Sequence, residues 1–248
     1  MYQSMLAETV HIKGHNGDDI ETYVARPLGA GPYPGVVVIH HMPGWDEWSK
    51  EVTRKLAYHG YVAICPNLHY REAPGSSSDD AAAATRAAGG VPDDRCIGDV
   101  DSAAGYIRSL PYSNGKVGII GYCSGGRQVY LVACNLNSID AAVVCYGGRV
   151  VQPADQLTPA TPVAPIDMTA NMASPLLGLF GADDANPDPA QVAHIEGELK
   201  RHGKTYEFHT YEGAGHGFFA VDRPSHRPES AVDGWQKVFA WYEKYLSA

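Results

Sequence analysis

The stretch KVGIIGYCSGGR, residues 116–127, sets a cysteine among glycines where a continuous apolar run gives way to an amphipathic one. Gly121 lies two residues before Cys123, and Gly125 lies two after it. A nucleophile elbow needs this spacing, because a sharp strand-to-helix turn closes only if its flanking residues are small. The turn lifts the thiol above a sheet and puts it at a helix N-terminus, where the dipole and free N–H groups favour the thiolate. The chemistry that follows is attack on a carbonyl carbon. A structural cysteine beside a glycine-rich turn is the alternative, and the strand–turn–helix context weighs against it.

A cysteine nucleophile requires a base, and the base requires an orienting carboxylate. With an elbow, the expected chain order is nucleophile, acid, histidine. Two downstream loops supply the groups in that order: GADDANP at 181–187 and EGAGHGF at 212–218. Each follows a segment read as a strand, so both loops belong on the rim that carries Cys123. His216, between glycines, is the expected base, and Asp183 or Asp184 the expected acid. His194 and His202 read as surface residues on a helix and just past it, and His209 as a strand residue.

The elements that must position these groups alternate along the chain. Continuous β-branched or apolar runs at 36–40, 61–65, 117–121, 142–146, 176–180 and 206–211 read as strands. Amphipathic stretches at 47–58, 95–110, 125–134, 189–201 and 229–246 read as helices, with a short one at 79–88. In the last helix, Val232, Trp235, Phe239, Tyr242 and Leu246 are expected to face the sheet. Residues 10–13 and 20–25 alternate around Asn16, Gly17 and Asp18, the pattern of an antiparallel hairpin. The fold class is therefore α/β: a mostly parallel sheet with an N-terminal antiparallel hairpin and helices on both faces. Without repeats or a linker, residues 1–248 read as a single domain. Two irregular stretches, 68–94 and 147–173, are expected as pocket-building or surface loops, the second extended.

Bulk properties narrow the function class. The chain has 248 residues, a net charge of −9 and no basic run, which excludes a phosphate-backbone partner. No apolar run is long enough to span a bilayer, and residues 1–14 lack a signal-type pattern. Five cysteines without a CxxC pair point to a reduced, cytoplasmic chain.

In combination, residues 35–45, 61–75, 111–127, 181–187 and 211–219 resemble the dienelactone hydrolase (carboxymethylenebutenolidase) family of α/β-hydrolases, nearly along the whole chain. The resemblance implies an ester or lactone hydrolase with Cys123 as nucleophile, Asp184 as acid and His216 as base. It also implies an oxyanion hole from the backbone N–H groups of Met42 and Ser124, and no metal or organic cofactor. The expected partner is a small ester or lactone, with no nucleic acid or membrane, for a monomer or small homo-oligomer. A broad carboxylesterase or thioesterase is the second reading, and a non-catalytic binding protein the third. A metal site at His40, His41 and His216 is disfavoured, because adjacent strand residues point in opposite directions.

Two departures from the family pattern bear on the substrate. His41 stands where the dienelactone hydrolases proper have a glutamate near the resting thiol, and it is expected to face the pocket. Those enzymes hold a substrate carboxylate with two arginines; Arg86 matches the first, and the second position is Ala220, with Arg223 displaced nearby. Arg86 is thus an expected substrate-binding residue. Trp45, Trp48, His69, Tyr70, Phe218 and Phe219 are expected either to wall the pocket or to pack in its rim. Arg127 is expected to support the elbow structurally.

Overall fold

Strand β3 (Tyr33–Ile39) is apolar at nearly every position because both of its faces are covered. Val37 and Ile39 enter one core, while Val36 and Val38 enter another on the opposite face. Strands β4 (Val62–Pro66) and β5 (Ser113–Tyr122) divide their residues in the same way. This period-two division is what a continuous apolar run becomes between two helix layers. The computed structural model describes residues 4–247.

The sheet has eight strands in the order β1-β2-β4-β3-β5-β6-β7-β8. Strands β1 (Met5–Lys13) and β2 (Asp19–Pro27) form the expected hairpin, in the register Lys13↔Asp19 and Val10↔Thr22. A short 3-10 turn at His15–Gly17 joins them, with Asn16 and Gly17 at positive φ. Strand β2 pairs antiparallel with β4, and pairing from β4 onward is parallel. The remaining strands are β6 (Ala141–Cys145), β7 (Leu176–Gly181) and β8 (Tyr206–Tyr211). This is the α/β-hydrolase arrangement.

Among the described residues, five α-helices pack against the sheet. α1 (Glu47–Tyr58) and α6 (Pro228–Leu246) pack on one face; α3 (Asp93–Ser109), α4 (Ser124–Asn135) and α5 (Pro189–Arg201) pack on the other. α2 (Ser78–Ala87) lies within the first irregular stretch. Asp46 and Asp188 cap α1 and α5 by accepting the Ser49 and Gln191 backbone N–H groups, which starts both helices where their patterns begin. Among the described residues, no helix is long and apolar enough to cross a membrane.

Two expectations need correction. Val232 does not face the sheet; it is 60% exposed. The buried stripe of α6 runs through Ala231, Gly234, Trp235, Val238 and Tyr242, and Val232 sits one residue, about 100°, beyond its edge. The stretch 147–173 is not simply extended. It holds 3-10 turns at Ala154–Gln156 and Pro165–Asn171, the second started by a proline and tied to α4 by a 2.6 Å bond between the Tyr130 and Thr169 hydroxyls.

Candidate active site

Cys123 follows the last residue of β5 and caps α4, with φ 55° and ψ −120°. A residue with a side chain adopts this conformation only where its surroundings impose it. Here the backbone leaves no alternative. A Cβ on Gly121 would lie 2.2 Å from the Gly125 carbonyl oxygen, and one on Gly125 would lie 2.2 Å from the Ile39 carbonyl oxygen. The strand, turn and helix therefore meet at atomic contact, and the thiol projects into a cavity of about 230 Å³ lined also by Met42, Ser124, Arg149 and His216.

His216 and Asp184 come from the loops after β8 and β7. His216 Nδ1 lies 2.9 Å from Asp184 Oδ2, while Asp184 Oδ1 accepts the Asn186 N–H at 2.8 Å. Asp184 is buried and Asp183 is exposed, so of the two candidates Asp184 is the one that meets His216. With Nδ1 engaged, Nε2 is the ring nitrogen left for the hydrogen bond between His216 and Cys123. The Tyr146 ring stands edge-on to the imidazole, 5.1 Å between centroids, and limits its movement.

Electrostatics distinguish Cys123 from the other four cysteines. Burial pushes the Cys65, Cys96, Cys134 and Cys145 thiols above the ordinary range. Burial acts on Cys123 in the same direction, yet His216 and the backbone N–H groups of Ser124 and Met42 outweigh it and hold this thiol below its ordinary value. His216 responds reciprocally. Desolvation would lower it, but Asp184 and Cys123 raise it to about 10. Both shifts favour the charged forms, thiolate for Cys123 and imidazolium for His216.

A profile of the dienelactone hydrolase family matches residues 20–246. The chain belongs to the dienelactone hydrolase family. It is 34% identical over 228 residues to a Methylorubrum extorquens protein named "Putative carboxymethylenebutenolidase", covering 91% of this chain and 77% of that one. A Bradyrhizobium protein named "Probable 2-oxo-3-(5-oxofuran-2-ylidene)propanoate lactonase" is 30% identical over 234 residues, covering 94% and 92%. Among solved structures, a "Putative Dienelactone Hydrolase" from Klebsiella pneumoniae superposes with a TM-score of 0.89 at 31% identity, covering 98% of this chain and all of that one. This dienelactone hydrolase family member is a hydrolase.

Other expectations fail on geometry. His41 does not line the cavity. It is buried, with Nε2 2.6 Å from Asp46 Oδ2 and its ring tilted against Trp48. Asp46, the α1 cap, is held down at about 2 despite its partial burial, because His41 and Ser49 hydrogen-bond it. His41 is thus drawn inward by the cap of the next helix. Arg86 is exposed on the last turn of α2 and also lies outside the cavity lining, which this part of the chain supplies instead from Gly89, Gly90 and Val91.

The six rim aromatic and histidine residues do not wall the cavity either. Trp48 and Phe219 pack beneath the elbow against Tyr122, at 4.7 and 5.6 Å between centroids, and Trp45 donates to the Cys65 carbonyl at 2.8 Å. His40 is also committed to the backbone: Nδ1 bonds the His41 carbonyl, and Nε2 accepts the Leu68 N–H. Burial lowers His40 to about 4, so it is neutral. Among the described residues, no three histidine, cysteine or acidic groups converge on a point that could hold a metal.

Arg127, as expected, is structural in its contacts, pairing with Asp93. Sequence reasoning missed Arg149 and Asn186, which line the cavity from the loops after β6 and β7. Their only sequence signal is position, an arginine directly after Gly147 and Gly148 at a strand end and an asparagine two residues past Asp184.

Proposed function

We propose that this protein hydrolyses esters or lactones through a thioester on Cys123. One observation carries the reading: the single cysteine held below its ordinary pKa is the one at the elbow, hydrogen-bonded to a histidine whose far nitrogen is fixed by a buried aspartate. The Cys123 thiolate attacks the substrate carbonyl. The N–H groups of Ser124 and Met42, which already hydrogen-bond the resting sulfur, bind the oxyanion as it forms. One such donor typically contributes about 10²–10³-fold in rate.

As the tetrahedral adduct collapses, the C–O bond breaks and the departing alkoxide takes the proton from His216. In a lactone this alkoxide stays tethered to the acyl group. His216, now neutral, takes a proton from water, and the resulting hydroxide attacks the thioester to release the acid and restore the thiolate. Asp184 keeps Nδ1 protonated and the ring oriented throughout. The lactonase name of the Bradyrhizobium relative supports a lactone among the substrates.

The test is intact-mass spectrometry of protein quenched in acid during turnover of an aryl ester. A mass increase by one acyl group is expected in wild type, larger in His216→Ala where hydrolysis of the thioester stalls, and absent in Cys123→Ala. Turnover by Cys123→Ala at the wild-type rate would sink the proposal.

A further inference from the structure

We propose that His40 is a positioning residue for the reaction: its ring holds the His41–Met42 peptide so that the Met42 N–H faces the sulfur and the oxyanion. This rests on the hydrolase reading above. The two backbone donors at Cys123 are secured in different ways. Ser124 opens α4, and the helix fixes its N–H. Met42 lies between the end of β3 and the start of α1, outside any regular element. Pro43, which follows it, brings no N–H to anchor the turn.

The His40 ring supplies the anchor. Its Nδ1 lies 2.9 Å from the His41 carbonyl oxygen, and its Nε2 lies 3.1 Å from the Leu68 nitrogen. A backbone N–H can only donate, so Nε2 accepts and carries no proton. The single proton of the neutral ring therefore sits on Nδ1 and points at the His41 carbonyl. The Gly44 N–H donates to the same oxygen at 2.9 Å. That carbonyl and the Met42 N–H belong to one planar trans peptide and point in opposite directions, so fixing the oxygen fixes the N–H. Donation to the oxygen also polarises the N–H at the far side of the peptide.

The ring has no room to turn. His40 is 2% exposed, and the His69 ring stands edge-on to it, 4.6 Å between centroids. The His40 carbonyl oxygen lies 2.8 Å from where a Cβ on Gly125 would fall, so the start of this loop rests against the elbow helix. A continuous path thus runs from the Leu68 N–H through His40 and the 41–42 peptide to the Cys123 sulfur. The His41 side chain takes no part in it, being turned to Asp46.

The experiment compares His40→Leu, which removes both ring bonds, with His40→Asn. The asparagine amide N–H stands in for Nδ1–H and keeps donation to the His41 carbonyl. On 4-nitrophenyl acetate, His40→Leu should lower kcat and kcat/KM together by about 10–100-fold with KM little changed, as a misplaced oxyanion donor would. His40→Asn should recover most of that loss. The pH profile of Cys123 alkylation by iodoacetamide gives a readout without turnover. The thiol pKa should rise in His40→Leu, where the Met42 N–H leaves the sulfur, and return toward the wild-type value in His40→Asn. Thermal melting checks that each variant is folded, and His40→Met replaces His40→Leu should the latter not fold.

A folded His40→Leu with wild-type kcat and thiol pKa would overturn the proposal, whatever its melting temperature. So would a folded His40→Asn as impaired as His40→Leu. If Cys123→Ala hydrolyses the ester as fast as wild type, the hydrolase reading falls separately. The alkylation profile needs no substrate and then still decides the His40 assignment.

Discussion

Arg127, in the first turn of α4, places its two terminal nitrogens 2.6 and 3.1 Å from the two oxygens of Asp93, at the start of α3. Both side chains are more than nine-tenths buried. The pair ties the helix behind the elbow to the helix beside it, and so fixes one wall of the Cys123 cavity.

Breaking this pair leaves one charge buried alone, which typically costs about 3–5 kcal/mol. Asp93→Ala is expected to lower stability by that order in denaturant unfolding. The double variant Asp93→Ala/Arg127→Met should cost clearly less than the two single changes added together, because it leaves no orphaned charge. Additive costs would mean that the two groups do not act as a pair.

Asp184→Asn keeps an oxygen for the Asn186 N–H but loses the carboxylate that faces His216. A fall in kcat of roughly 10²–10⁴-fold is expected, with little change in melting temperature. The His216 pKa should also fall, since Asp184 is among the groups that raise it. NMR titration of the imidazole reads this directly.

The shifts of His216 and Cys123 have a pH signature in stability. His216 is raised from 6.5 to about 10, so its contribution is complete below pH 6.5 and is lost as pH rises through 10. Cys123 is lowered from 9.0, so its contribution is complete above pH 9 and is lost as pH falls through its folded value. Above pH 9 only the His216 contribution still changes, so wild type minus Cys123→Ala/His216→Ala, measured by denaturant unfolding, should decline from pH 9 to 10. A difference that stays level over that range would show that His216 is not raised.

Gly125→Ala tests the elbow. Its added Cβ would meet the Ile39 carbonyl oxygen at 2.2 Å, a backbone atom fixed by β3 in the centre of the sheet. Overpacking of this kind typically costs about 1–3 kcal/mol. Loss of activity well beyond the loss of folded protein is expected, since the chain relieves the clash by moving Cys123. Thermal melting together with alkylation of Cys123 by iodoacetamide separates the two effects.

The sequence by itself determined the order and type of nearly every element. Helices α1 and α5 run over the expected residues, as does strand β8, because periodicity and capping are local properties. It also determined that Cys123, His216 and an aspartate from 183–184 would share a rim. In a parallel sheet, loops after strands emerge at one edge whatever their composition. The glycines around Cys123 were legible for the same reason, since a turn that tight excludes side chains by sterics alone.

Tertiary structure decided where the loop side chains point. His41 turns inward because Asp46, five residues later, caps α1 and accepts its ring N–H, and nothing in the pattern at 40–45 weighs that bond against the cavity. The rim aromatics settle under the elbow, where Tyr122 offers apolar surface. Val232 falls outside the buried stripe of α6 because the sheet, and not the helix's own composition, sets which 100° arc is covered. Arg86 stays outside the cavity lining and Arg149 enters it on the same grounds. A side chain's access to a cavity depends on which loops close around it, and those contacts join residues far apart in the chain.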